Sequence, residues 1–124
     1  MKISTSTTNF LFRLGLSSFF LINSLAAWFA PSEFLELLGA NSLASSIADP
    51  SFWVYIIGIN DGLLFLLILL GKWNKIIATW AGLWVALVMY VTFREGTEEL
   101  VEHIGVLSFL AYYYFAPWKT STKK

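Results

Sequence analysis

The segment from residue 52 to residue 70 limits this chain more than any other, because it is almost wholly apolar and carries Asn60 and Asp61 at its centre. As an α-helix, a segment of this length covers about 30 Å, which is roughly the thickness of the hydrocarbon core of a bilayer. Asp61 would then lie near the middle of the membrane, where an ionised carboxylate costs on the order of 3 kcal/mol. The sequence therefore predicts that neighbouring helices shelter Asp61 or give it a partner.

The composition agrees with a chain that lies mostly in lipid. Hydrophobic residues make up 57% of the sequence and charged residues 13%, whereas a soluble domain has about 25% charged residues. Eight basic residues balance eight acidic residues, and without a basic excess nothing supports binding to nucleic acid. The absence of cysteine excludes disulfide exchange by this chain and metal or iron–sulfur sites with thiolate ligands.

Four apolar segments are long enough to be membrane spans, at about residues 10–30, 52–70, 76–93 and 100–118. Together with short loops they occupy most of the 124 residues, so residues 1–124 are predicted to form a single membrane domain. The predicted fold class is all-α, an integral membrane four-helix bundle with up-down-up-down topology.

The longest connection, residues 31–50, joins the first two spans and has a helical pattern of its own. Ser32 is a good N-cap, and apolar residues alternate with Glu33 and Glu36 as far as Gly39. This segment is too short to span a bilayer. We therefore expect a short interfacial helix that lies flat on the membrane surface.

Charged residues in the loops predict the orientation of the spans. One side of the membrane would hold only lysines, namely Lys2, Lys72, Lys75, Lys119, Lys123 and Lys124. The other side would hold Arg94 as its only cation and six acidic residues, namely Glu33, Glu36, Asp49, Glu95, Glu98 and Glu99. By the positive-inside rule both termini are cytoplasmic, which requires an even number of spans. This argues against the alternative of a signal peptide cleaved near Ala26.

Small residues on the second span indicate the face that packs against other helices. Gly58 and Gly62 lie on the same side of that helix as Asp61, so Asp61 should face neighbouring helices and not lipid. The antiparallel order places Asn23 at a similar depth and His103 about one turn nearer the outer side. Arg13 lies about 12 Å away in depth, which makes its pairing with Asp61 the less favoured arrangement.

These polar residues are the candidates for a pocket that takes a proton-carrying or quinone-like ligand. The candidate residues are Asp61, Asn60, Asn23, His103, Glu102 and Arg13. An alternative is a network of hydrogen bonds that only fixes helix packing, with each bond contributing less than about 1–2 kcal/mol. Arg13 has its own alternative, which is to extend to the cytoplasmic head groups.

Other kinds of site have less support. The chain has one histidine and no metal-ligand spacing such as H-x-x-x-H, so no metal site is predicted. Trp80 and Trp84 are predicted to fill a helix interface. No nucleophile-elbow or phosphate-loop motif occurs in the sequence, and no catalytic residue is assigned.

The pattern as a whole resembles the DoxX-like family of small four-helix membrane proteins. The resemblance is carried by Arg13 in FLFRLGL, by Tyr55, Gly58 and Gly62 in Y-x-x-G-x-x-x-G, and by the run LLILLGKWNK that ends at Gly71 and a basic turn. Asp61 stands three positions after Gly58, where many members have an acidic residue. His103 and the acidic segment REGTEE have no counterpart in a family motif.

The resemblance implies a protein of the bacterial inner membrane linked to quinone or redox metabolism, with a quinone as the candidate cofactor. Subunits of a membrane redox complex, or further copies of this chain, are the candidate protein partners besides the lipid bilayer. Two other functions stay open at this point. One is a non-catalytic assembly or scaffold subunit, and the other is a small proton-coupled transporter, although such exporters have an acidic residue in span one where this chain has Arg13.

Overall fold

The computed structural model describes residues 4–92 and 97–116, with the side chains of residues 97–99 excepted. This part of the chain is all-helical, which confirms the predicted class. Its helices are α1 (Thr5–Phe29), α2 (Ser32–Ala40), α3 (Ser42–Ile47), α4 (Pro50–Leu70), α5 (Asn74–Thr92) and α6 (Thr97–Phe115).

Three of these helices, α1, α4 and α5, are long and apolar enough to cross a membrane. The apolar part of α6, Leu100–Phe115, is shorter. Helices α4 and α5 begin two residues before the predicted spans. Helices α1 and α6 begin five and three residues before them, respectively. The predicted last residues of spans three and four, 93 and 117–118, lie outside the described residues. So do six of the loop charges that set the predicted orientation, namely Lys2, Arg94, Glu95, Lys119, Lys123 and Lys124.

The ends of α4 follow from local sequence. Its N-cap is Asp49, whose carboxylate accepts a hydrogen bond from the backbone N–H of Ser51, and Pro50 stands at the start of the helix, where no N–H is needed. The helix ends at Gly71, which has a left-handed φ of 73° and donates its N–H to carbonyl groups of the last turn. The apolar run therefore has a defined start and a defined end.

The connection between α1 and α4 contains two helices where the sequence predicted one. Asn41 ends α2 and is also the N-cap of α3, since its Oδ1 accepts a hydrogen bond of 2.9 Å from the N–H of Ala44. Leu38 is buried against residues of α1 and α4. The indole N–H of Trp53 donates a hydrogen bond of 2.8 Å to the carbonyl of Ala44, which holds α3 against the first turn of α4.

The four long helices share one buried apolar cluster. Its members are Leu16 and Phe20 of α1, Leu64 and Ile68 of α4, Ile77, Ala78, Ala81 and Val85 of α5, and Leu110 and Tyr113 of α6. Within it, α1 packs mainly on α4, and α5 packs mainly on α6, while contacts between these two pairs are fewer. The core is thus built from two closely packed helix pairs.

Contacts along the helices show that neighbours run antiparallel. Near its start, α1 contacts the end of α4 through Arg13 and Leu69, and near its end it contacts the first half of α4 through Ser24 and Gly58. The outward faces keep large apolar side chains, such as Ile22, Leu66 and Leu83, exposed. Apolar outward faces are the surface expected of helices in contact with lipid.

Candidate functional site

The site is built first on a close approach between α1 and α4. The hydroxyl of Ser24 donates a hydrogen bond of 2.7 Å to the carbonyl oxygen of Gly58 in the buried interface. A Cβ atom at Gly58 would lie 2.6 Å from the ring of Trp28, so this ring rests directly on the backbone of α4 and a larger residue at position 58 would have to displace it. This contact brings the α1 residue before Ser24, Asn23, to the level of Asp61.

Asp61 is buried, with 3% of its surface exposed, and its carboxyl group has hydrogen-bond partners. The amide Nδ2 of the adjacent Asn60 donates to Asp61 Oδ1 over 3.2 Å. The side chain of Trp84 is a second hydrogen-bond partner of this carboxyl group. The burial and the hydrogen bonds agree with the prediction that neighbouring groups shelter this acid.

The indole groups of α5 extend this network to Asn60. Trp80 Nε1 donates a hydrogen bond of 2.8 Å to Asn60 Oδ1, and Trp84 lies one helical turn further along α5. The two tryptophans thus supply N–H donors from α5 to the adjacent polar residues of α4. Asn60 is only partly buried, and a partly buried amide oxygen without a donor would still be costly. The hydrogen bond from Trp80 removes that cost.

A small cavity of about 20 Å³ with mixed polar and apolar walls lies beside Asp61. Its walls come from all four long helices and consist of Phe19, Asn23, Asp61, Trp84, Val85, Val88 and His103. A volume of this size holds about one water molecule, and the polar groups around it are the partners that such a water needs. The cavity therefore suits a water or a proton and is too small for an aromatic ring.

His103 closes the cavity from α6. It is 6% exposed, and its ring lies edge-on to Phe19, with 6.0 Å between ring centroids. A neutral imidazole carries one donor and one acceptor, and a carboxyl group can act as either. A water between Asp61 and His103 could thus pass a proton from one side chain to the other.

The structure brings together four of the six candidate residues. Asn23, Asp61 and His103 line the cavity, and Asn60 is hydrogen-bonded to Asp61. Glu102 is exposed, because neighbouring residues of a helix point about 100° apart and His103 takes the inward direction.

Arg13 also lies away from the cavity. Its Nε donates a hydrogen bond of 3.2 Å to the carbonyl oxygen of Leu69, in the last turn of α4. Pairing of Arg13 with Asp61, the less favoured arrangement from depth alone, does not occur. A carbonyl at a helix C-terminus has no partner within its helix, and a cation there is favoured by the helix dipole.

Sequence reasoning missed the part that Trp80 and Trp84 play. Their spacing of four residues indicates a common helix face, but it does not reveal which face meets Asn60 and Asp61. For metals, the residues that the structure describes contain no group of three or more histidine, aspartate or glutamate side chains that could bind an ion.

No protein-family model matches the chain, and no curated protein or solved structure is significantly similar to it. The resemblance to DoxX-like proteins therefore stays a prediction.

Proposed function

We propose that this chain is a four-span, DoxX-like protein of the bacterial inner membrane that handles protons at a buried site as a subunit of a redox-linked complex. The observation that carries the proposal is that Asp61 and His103, on different helices, line the same water-sized cavity. Imidazole is the side chain that exchanges protons near neutral pH, and a carboxyl group is a common acid–base partner. A single water between them would complete the relay.

The proposed four-span arrangement adds α6 to the three helices that are long enough to span. Two of its residues, Leu110 and Tyr113, are buried in the shared core, and α6 packs mainly against α5. By the positive-inside rule, the end of the bundle that carries Lys72 and Lys75 faces the cytoplasm, as do both termini.

The size of the cavity limits where a quinone could bind. A volume of about 20 Å³ leaves no room for a quinone ring beside Asp61. Reduction of a quinone takes up protons together with electrons. A subunit that only delivers these protons would therefore take part in redox chemistry without binding the quinone itself. In this proposal the quinone binds a partner subunit or a surface shared with one, and Asp61 and His103 supply or accept the proton.

Infrared titration of the carboxyl band of Asp61 in proteoliposomes tests the proposal. The band is identified by its loss in Asp61→Asn, and it should change as the pH is varied over the interval in which the protein stays folded, because a carboxyl group that exchanges protons does not keep one protonation state. His103→Gln should alter that titration, whereas Glu102→Gln, an exposed change next to it, should leave it as it is. A band that stays constant over this interval, with or without His103, would contradict the proton site.

A scaffold is the second candidate, because the hydrogen bonds from Asn60 and Trp84 also suit a network that only fixes packing. In that case Asp61→Asn should keep the fold, and the protein should co-purify with the same partner as the parent chain. Native mass spectrometry of the purified protein would show such a partner, a bound quinone or further copies of the chain. Proton flux into liposomes that requires Asp61 would instead indicate a transporter.

A further inference from the structure

The cations that the structure describes lie at one end of the bundle. Among the described residues, the lysines and arginines are Arg13, Lys72 and Lys75. Arg13 contacts the last turn of α4, Lys72 follows the Gly71 that ends this helix, and Lys75 stands in the first turn of α5. We call these three residues and the turn between α4 and α5 the basic end.

The described surface acids lie at the opposite end. Glu33 and Glu36 belong to α2, which follows the end of α1, and Asp49 precedes α4. Glu102 lies in the first half of α6. No carboxylate in the described part of the chain therefore competes for an anion at the basic end.

Arg13 is held in place by a hydrogen bond that uses one of its N–H donors. Its Nε is used by the carbonyl of Leu69, and a Cβ atom built on Gly71 would lie 3.1 Å from its Cζ. The guanidinium group therefore rests against the backbone at Gly71. An arginine has five N–H donors, so the Nη groups can bind an anion while Nε keeps the group in position. Such a fork of donors matches the oxygens of a phosphate.

Three carbonyl groups at the helix ends of the basic end accept hydrogen bonds from side chains. Besides Leu69, the carbonyl of Tyr113 accepts a hydrogen bond of 3.0 Å from Asn74 Nδ2, and that of Tyr114 accepts one of 3.2 Å from Lys75 Nζ. The negative end of a helix dipole normally disfavours an anion. Side chains that cover these carbonyl groups reduce that penalty.

Aromatic residues at the same end set its depth in a bilayer. Trp73 is 64% exposed beside Lys72, and Tyr112 is exposed on the last turns of α6. Tryptophan and tyrosine prefer the level of the lipid head groups. Exposed Lys72 would then lie at the depth of the lipid phosphates, next to the guanidinium of Arg13 across Gly71.

We propose that the basic end binds the phosphate group of an anionic phospholipid, with Arg13 and Lys72 as its main contacts. The inference rests on the membrane placement given under the proposed function, but it does not depend on proton exchange at Asp61. A lipid bound there would bridge α1 and the turn between α4 and α5. Clusters of basic residues at the cytoplasmic ends of spans are typical sites for anionic head groups.

The test uses the full chain in a neutral detergent, titrated with phosphatidylglycerol, with phosphatidylcholine or with inorganic phosphate. Native mass spectrometry measures the bound lipid, and the thermal midpoint reports stabilisation. Phosphatidylglycerol should bind and stabilise more than the other two. Lys72→Gln should weaken its binding about fivefold, since a basic residue near an anionic surface contributes about 1 kcal/mol.

Arg13→Lys keeps the charge but loses the fork of donors, so it should also weaken phosphatidylglycerol binding. Glu33→Gln, an exposed change at the opposite end, is the matched control and should bind like the parent chain. Asp61→Asn should also bind like the parent, which separates this proposal from the proton site. Equal binding of the two lipids, equal stabilisation by inorganic phosphate, or unchanged binding in both Lys72→Gln and Arg13→Lys would overturn the proposal.

Discussion

The hydroxyl of Ser24 donates a hydrogen bond of 2.7 Å to the carbonyl oxygen of Gly58, which joins α1 to α4 at the level of the buried acid. That carbonyl lies inside a helix, so a side chain can reach it only where the two backbones approach closely. Small residues allow this approach in membrane helices, where no hydrophobic effect drives association. The contact between Ser24 and Gly58 therefore fixes the position of α1 relative to Asp61.

Gly58→Ala should lower the thermal stability of the detergent-purified protein. The new methyl group would lie 2.6 Å from the ring of Trp28, and overpacking of this kind costs about 1–3 kcal/mol. Gly82→Ala is the matched control, because a Cβ atom there meets nothing within 4 Å. Equal thermal midpoints for the two variants would show that the ring of Trp28 is not packed against Gly58.

Gly71→Ala should also be destabilising, for a different reason. Gly71 has φ 73°, and a left-handed conformation costs a residue with a Cβ atom about 1–2 kcal/mol. The new methyl group would also lie 3.0 Å from Arg13 Nε. Gly15→Ala, in open space within a helix, should be neutral or stabilising. A Gly71→Ala protein that unfolds at the parent temperature would contradict the described turn.

Trp80→Phe tests the hydrogen bond between α5 and Asn60. The substitution keeps an aromatic ring but removes the N–H that donates to Asn60 Oδ1 in a part-buried hydrogen bond, which should cost about 1 kcal/mol. Trp73→Phe is the control, because that side chain is largely exposed. The thermal midpoint should fall for Trp80→Phe and stay within error for Trp73→Phe. A smaller loss at Trp80 than at Trp73 would rule out this interaction.

Asp49 should give the start of α4 a pH-dependent stability. Hydrogen bonds from the hydroxyl and the backbone N–H of Ser51 lower the pKa of Asp49 below its ordinary value of 3.8. A group whose pKa is lower in the folded state stabilises the fold above its unfolded pKa, and this contribution is lost as the pH falls through the folded pKa. The stabilisation is therefore complete at neutral pH and fades below about pH 4.

Asp49→Asn provides the measurement, because asparagine is also a good N-cap but carries no charge. Its thermal midpoint should lie below that of the parent at neutral pH, and the difference should be smaller at about pH 3, below the ordinary pKa of an aspartate. Ser51→Ala removes the hydroxyl donor and should reduce the difference. A gap of the same size at both pH values would show that the charge of Asp49 has no part in it.

The four long helices could be predicted because each apolar run is bounded by residues that end helices. Gly71 is the clearest example, since the sequence changes there from leucine to a basic turn and the structure has a left-handed glycine. The connection was harder to predict. Asn41 ends α2 and is the N-cap of α3. The short segment after it has no helical repeat of apolar residues from which a second helix could be predicted.

The candidate site was partly predictable for a related reason. The side of α4 that carries Asp61 follows from the spacing of Gly58 and Gly62, and the depth of Asn23 and His103 follows from the antiparallel order. The rotation of α5 does not follow from its sequence, because tryptophan residues occur on both packed and lipid-facing sides of such helices. The contacts of Trp80 and Trp84 with α4 therefore could not be predicted.

The division of the core into the α1–α4 pair and the α5–α6 pair bears on how the water site could be reached. Asn23 and Asp61 stand on one pair, and Trp84 and His103 stand on the other. Two closely packed helix pairs that share few contacts can slide past each other more easily than the helices of either pair can separate. A shear of this kind would widen or narrow the gap between acid and imidazole, so apolar substitutions along the boundary should change the rate of water entry without altering any polar group.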